Sequence, residues 1–136
     1  MNITKLPFNA HVGLRPCEND QGLLSLPFEK HLLNHLQTLH ASAIYALAEA
    51  SSGEFLLRHR TTESINGVLR RAACKYSAPA TTAIYSKALT DPDVVTEAAA
   101  TASKSGKASL TIYIAINDSN DRIVGRFSFD WLLIRE

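Results

Sequence analysis

Two hydrophobic rhythms divide the chain. From Asn34 to Gly53 (NHLQTLHASAIYALAEASSG) apolar and small residues follow one another almost without interruption, and between Thr38 and Ser52 the only formal charge is Glu49. A helix of that composition is apolar around most of its circumference, so it belongs inside a protein. The spacing predicts a long helix over roughly 39–55, with Thr38 or a neighbour as N-cap and Gly53 at its fraying end. After it the period changes to two. Ile65–Ser77, Ala80–Leu89, Ser109–Asn117 and Arg122–Arg135 read as strands. The Ile65–Ser77 strand is apolar enough to be central. Asp93–Ser103 has the composition of a helix, and Asp118–Asp121 is a turn.

Before the long helix, residues 1–10 read as a lead-in with one helical turn ending near Pro7-Phe8. His11–Cys17 and Gly22–Phe28 read as a hairpin about the turn cluster Glu18–Gly22, and Glu29–Leu33 as a brief helical turn. The sum is a single α+β domain over 1–136, an antiparallel sheet of about five to six strands packed on one helix. A helix apolar on nearly every side also wants a second partner, and a second copy of the chain supplies one through a two-fold contact.

Composition narrows the function classes. At 136 residues, 46% hydrophobic and 20% charged, the chain is one globular domain and not a disordered one. A formal net charge of +1 with scattered basic residues provides no footprint for nucleic acid. No window is long and apolar enough for a signal peptide or membrane span, so a cytoplasmic location is expected. Cys17 and Cys74 match no metal or redox spacing. His31 and His35 stand four apart and His40 is near, but no acid or cysteine completes a zinc set, so neither metal nor cofactor is expected.

The candidate chemistry starts at Glu49. At about 100° per residue, Ser42, Tyr45, Glu49 and Ser52 form one narrow polar stripe, while Leu39, Ala43, Ala46, Leu47 and Ala50 fall on another face. Two readings stand for the acid. Either it is a helix-surface carboxylate paired with Arg58, Arg60 or another cation, or it lies in a cleft with its pKa altered by burial and does acid–base or nucleophilic work. Asn34, Thr38 and His40 gather at the helix start, where free N–H groups and the positive dipole end can receive the oxyanion of an attacked carbonyl.

The spacing Asn34–His40–Glu49, followed by a helix of small residues, resembles the hotdog-fold thioesterase superfamily, nearest the branch of phenylacetate-pathway acyl-CoA thioesterases. That branch carries Asn, two residues, Gly, two residues, His-Gly-Gly, and an acid nine positions after the His. Leu6-Pro7-Phe8 with His11-Val12-Gly13, Lys75-Tyr76 with Pro79-Ala80, and Ser105-Gly106-Lys107 extend the resemblance over nearly the whole chain. It implies a sheet wrapped around the central helix and a homodimer whose two sheets join, with a dimer of dimers as a further step. It also implies hydrolysis of an acyl-CoA or acyl-carrier thioester, without cofactor, at the subunit interface. On it, Glu49 is base or nucleophile and faces the Asn34/His40 region of the other chain. Asn34 orients water or substrate, His40 positions the helix start or the thioester, and an N–H near Ala41 or Ser42 holds the oxyanion. Tyr45 lines the acyl pocket, and Lys104 and Lys107 meet CoA phosphates. The sequence departs from the pattern at Gln37, in place of one glycine, and at Ala41-Ser42, in place of Gly-Gly. Side chains there narrow the approach, and Gln37 would partly fill the pocket. A binding or scaffold protein that has lost hydrolysis is therefore the alternative, with a dehydratase on the same fold a third option.

Overall fold

A computed structural model describes residues 1–18 and 22–136. Asn19, Asp20 and Gln21 of the turn cluster lie outside the described residues. Three helices and six strands alternate along the chain: α1 (Pro7–Val12), β1 (Arg15–Pro16), β2 (Leu24–Leu26), α2 (Ala41–His59), β3 (Ile65–Tyr76), β4 (Ile84–Ala88), α3 (Pro92–Ser105), β5 (Lys107–Asp118) and β6 (Ile123–Arg135). One-turn 3-10 helices at Ile3–Lys5 and Lys30–Leu32 complete the list. All six strands join one antiparallel sheet in the order β1-β2-β4-β5-β6-β3. The sheet curls around α2, whose Ala43, Ile44, Leu47, Ala48 and Ala50 are buried against Ile112, Ile114, Phe129 and Leu133. This is the hotdog architecture.

The beginning of the chain departs from the expected strand. Pro7 starts a helix where a stop was read: its fixed φ and missing N–H suit the first helical position. Gly13 ends that helix in the left-handed conformation (φ 96°). Only Arg15 and Pro16 remain extended, paired with Ser25 and Leu24, and Pro16 is tolerated because β1 is the sheet's edge. The hairpin is there, but short.

The long helix begins two residues later and ends four residues later than its spacing predicts. Its N-cap is His40 and not Thr38: the His40 Nδ1 accepts from the Ser42 N–H at 2.9 Å. Gly53 is no frayed end. It is buried inside α2, and a Cβ there would stand 3.6 Å from Ile3 and 3.9 Å from Trp131, so tertiary packing carries the helix through it. Gly67 is tighter still. A Cβ there would stand 3.0 Å from Trp131 and 3.1 Å from Leu56. Gly67→Ala is expected to cost about 1–3 kcal/mol, read from the urea midpoint, and a neutral result would show that the Trp131 wall can yield.

β3 is the second correction. It is not central but forms the other edge of the sheet, paired with β6 on one side only. From Arg70 to Ser77 every side chain is exposed, Ala72, Ala73 and Tyr76 among them. A twelve-residue strand with one free flank is a template for further pairing.

Candidate active site

The stripe predicted on α2 opens into a groove of about 530 Å³ lined by Ala41, Ser42, Tyr45, Ala46 and Glu49, with Leu69 and Tyr76 of β3 and Phe8 of α1 as its far walls. The Tyr76 hydroxyl donates to the Ala41 carbonyl at 3.0 Å and ties the edge strand to the helix start. Tyr45 packs edge-on against Phe129, with ring centroids 5.9 Å apart. Ser52, the last member of the stripe, is buried and accepts from the Trp131 indole N–H at 3.1 Å. The stripe thus runs from groove to core.

Glu49 is half-buried, and neither proposed cation reaches it. Arg58 pairs with Glu54 at 2.8 Å, and Arg60 donates to the Ile65 carbonyl and to Asn66. Among the described residues no cation or hydrogen-bond donor meets the Glu49 carboxylate. Burial therefore pushes its pKa up. Burial also raises the Tyr45 phenol, with the Glu49 charge as the next cause. The Cys74 thiol, on β3 beside Tyr76, is pushed up by the partial burial it has there. A half-buried carboxylate without a partner has its lone pairs free to accept a proton.

The helix start supplies donors, but not all those expected. The Ser42 N–H is committed to His40, whereas the Ala41 N–H has no acceptor among the described residues. Ala41 is therefore the available donor. His40 is exposed and lies at the rim, beside Phe8 and Ser42. Asn34 is occupied within its own loop: its Oδ1 accepts from the Leu36 and Thr38 N–H groups, and its Nδ2 donates to the Thr38 hydroxyl at 2.9 Å. It shapes the loop that presents Ala41.

Gln37 is not among the groove's lining residues. Its side chain is exposed, and its backbone sits at φ 62°, the left-handed region where glycine carries no penalty. A turn requires the conformation, and no pocket does. Gln37→Gly is expected to add up to about 1 kcal/mol of stability and leave turnover within about twofold, whereas a tenfold rate change would place Gln37 in the site. Lys104 and Lys107 are exposed at the end of the sheet where β3 begins, Lys107 being level with Ile134 and Asn66. Nine β6 residues separate that level from Tyr76, roughly 30 Å, so one chain does not bring these lysines to Ala41. No cluster of three or more metal-ligating side chains occurs among the described residues.

Phe8, Ala46, Leu69 and Tyr76 are the groove residues not read as such from the chain: the spacing puts Ala46 on the helix's other face. Only the pairing of β3 beside α2 makes the other three neighbours, although Tyr76 stood out at its strand junction.

With this geometry in hand, comparison with known proteins places the chain. Residues 4–133 match the family described as "Domain of unknown function (DUF4442)". The chain belongs to that family. No curated protein matches the sequence. Among solved structures, a Pseudomonas aeruginosa protein of unknown function, described as a probable thioesterase, superposes on this DUF4442 chain with a TM-score of 0.86. It is 20% identical over 98% of this chain and 91% of its own. A Haemophilus influenzae thioesterase gives a TM-score of 0.70 at 12% identity, covering 98% and 86%. A Bacillus halodurans protein solved with CoA gives 0.64 at 12%, covering 82% and 66%. At these identities the likeness establishes the fold of the DUF4442 domain. No helix among its described residues is long and apolar enough to cross a membrane.

Proposed function

We propose that the chain hydrolyses acyl thioesters of CoA or an acyl carrier, at sites shared between two copies. The observation that carries this reading is the unpaired, half-buried Glu49 in an open groove, on a helix whose first residue, Ala41, keeps an N–H without an acceptor among the described residues. Ionised Glu49 takes a proton from water as the water oxygen bonds to the thioester carbon; as a nucleophile, it would make that bond itself and be released by water afterwards. The carbonyl electron pair moves onto oxygen, where the Ala41 N–H receives it. Collapse breaks the carbon–sulfur bond, and the thiolate leaves with the proton. The products are an acid and a thiol.

One chain cannot present both groups to one carbonyl. Ala41 and Glu49 are eight residues apart on α2, about 12 Å along its axis, whereas reacting groups approach to about 3–3.5 Å. A second copy resolves this when its Ala41 comes to the first copy's Glu49. The unpaired β3 edge, with exposed Ala72, Ala73 and Tyr76, is a surface on which two sheets can join about a two-fold axis. In this arrangement His40 holds the helix start, Asn34 shapes the loop before it, and Tyr45 and Tyr76 wall the groove by which the thioester reaches Glu49. The CoA-bound Bacillus halodurans structure of the same fold supports CoA as the thiol. Lys104 and Lys107 would meet its phosphates only from a second copy. Thiol release from a panel of acyl-CoAs tests the reading, and release at the background rate across the panel would reject it.

The second reading, binding without turnover, is favoured by one observation: a Cβ stands at Ala41, and the neighbouring Ser42 N–H is already capped. Thioester binding with no thiol released would select it.

A further inference from the structure

Beyond the groove, towards the C-terminal half of α2, Glu49 also lines a second, narrower cavity of about 200 Å³. Ile3 and Leu6 of the N-terminal segment roof it, Gly53 and Leu56 of α2 form one wall, and Gly67 and Trp131 of the sheet form the other. Three polar groups of its lining residues are engaged elsewhere. The Trp131 N–H goes to Ser52 at 3.1 Å, the Asn9 amide nitrogen to the Ile3 carbonyl at 3.0 Å, and Asn66 accepts from Arg60 at 3.2 Å. What remains is a mostly apolar slot with Glu49 in its lining. Two glycines keep it open. Gly67 lets the Trp131 ring lie close to the backbone, and Gly53 leaves a gap beneath Ile3 that a single methyl would enter.

We infer that this cavity receives the acyl chain of the substrate and limits it to roughly six to eight carbons. The size follows from volume: an apolar cavity of about 150 Å³ holds a benzene ring, and this one is somewhat larger. The position follows from Glu49, which lines groove and cavity alike, so a thioester carbonyl beside it has the CoA arm on the groove side and the acyl chain under the N-terminal segment. The inference rests on the hydrolase reading for the carbonyl's placement. The cavity's preference for an acyl chain can be measured without turnover.

The test uses straight-chain acyl-CoAs from two to twelve carbons with the wild type, Gly53→Ala and Leu6→Ala. Gly53→Ala is a favourable change inside a helix and retains the fold. The wild-type kcat/KM rises to six to eight carbons and falls by roughly tenfold or more at twelve, since each methylene that finds or loses its place in an apolar pocket is worth about tenfold or more. Gly53→Ala lowers the octanoyl-to-butanoyl ratio by roughly tenfold, and Leu6→Ala shifts the optimum to longer chains. Identical profiles in all three proteins, with hydrolysis intact, overturn the inference and leave the hydrolase reading standing. If no acyl-CoA is hydrolysed, binding of butyl- and octyl-CoA thioethers, which have no carbonyl to attack, decides. Tighter octyl binding that Gly53→Ala abolishes supports the cavity, and equal affinities overturn it.

Discussion

Glu49→Gln is expected to lower kcat/KM for the best acyl-CoA by about 10³-fold at neutral pH, with the fold retained. The amide fills the same space but takes no proton and makes no acyl bond, and general-base assistance alone is worth roughly 10²–10⁴. A rate within tenfold of wild type would remove the carboxylate from the mechanism. The pH profile gives a second reading of the same group. Burial makes Glu49 hold its proton more tightly than an exposed glutamate, so wild-type kcat/KM should fall on the acid side with a midpoint above the ordinary glutamate range. Stability runs the other way. A carboxyl whose folded pKa lies above its unfolded value favours the folded state at low pH, and that contribution is lost as pH rises through the folded pKa. Above that folded pKa the native protein carries an ionised, half-buried acid without a partner. Glu49→Gln removes that charge, so Tm should rise by roughly 1–3 °C at pH values above the folded pKa, a difference that vanishes below the unfolded pKa.

Ala41→Pro is expected to lower kcat/KM by about 10²–10³-fold while Tm stays within a few degrees. Ala41 is the first residue of α2, where proline is tolerated because its N–H has no helical acceptor. His40 at φ −64°, ψ 140° already has the extended conformation that a residue before proline prefers. The substitution therefore deletes one donor and spares the helix, the His40 cap and the Tyr76 bond to the Ala41 carbonyl. Ala41→Gly keeps the N–H and should stay within a few-fold of wild type. Equal rates in the proline and glycine variants would mean that the oxyanion is held elsewhere.

The central features of the domain were legible where local pattern and tertiary demand agree. An uncharged run with one acid reads as a buried helix carrying Glu49, and the alternation in β5 and β6 reads as strands, because burial on one face enforces it. The misreadings have tertiary causes. Gly53 looked like a helix end because local propensity disfavours glycine, but it is buried between Ile3 and Trp131, which are far away in sequence, and that packing carries the helix through it. β3 looked central because its apolar content signals cover on both sides, and one chain leaves the flank from Arg70 to Ser77 bare. Pro7 signals either a helix stop or a helix start, and only the packing of Asn9 and Ile3 on the core decides. At the site, the stripe Ser42–Tyr45–Glu49 could be read from periodicity. The commitment of the Ser42 N–H to His40, the looped Asn34 and the left-handed Gln37 could not, because they depend on backbone angles that no spacing encodes.

That each site is built from Glu49 of one copy and Ala41 of another is tested most directly by mixing the two inactive variants. Glu49→Gln and Ala41→Pro proteins are unfolded together, refolded and assayed, beside each variant refolded alone. Random pairing makes about half the dimers mixed, and each mixed dimer carries one site with both groups intact, so about a quarter of wild-type activity should return. Activity no higher than the sum of the separate variants, from a mixture shown to contain mixed dimers, would contradict the shared site.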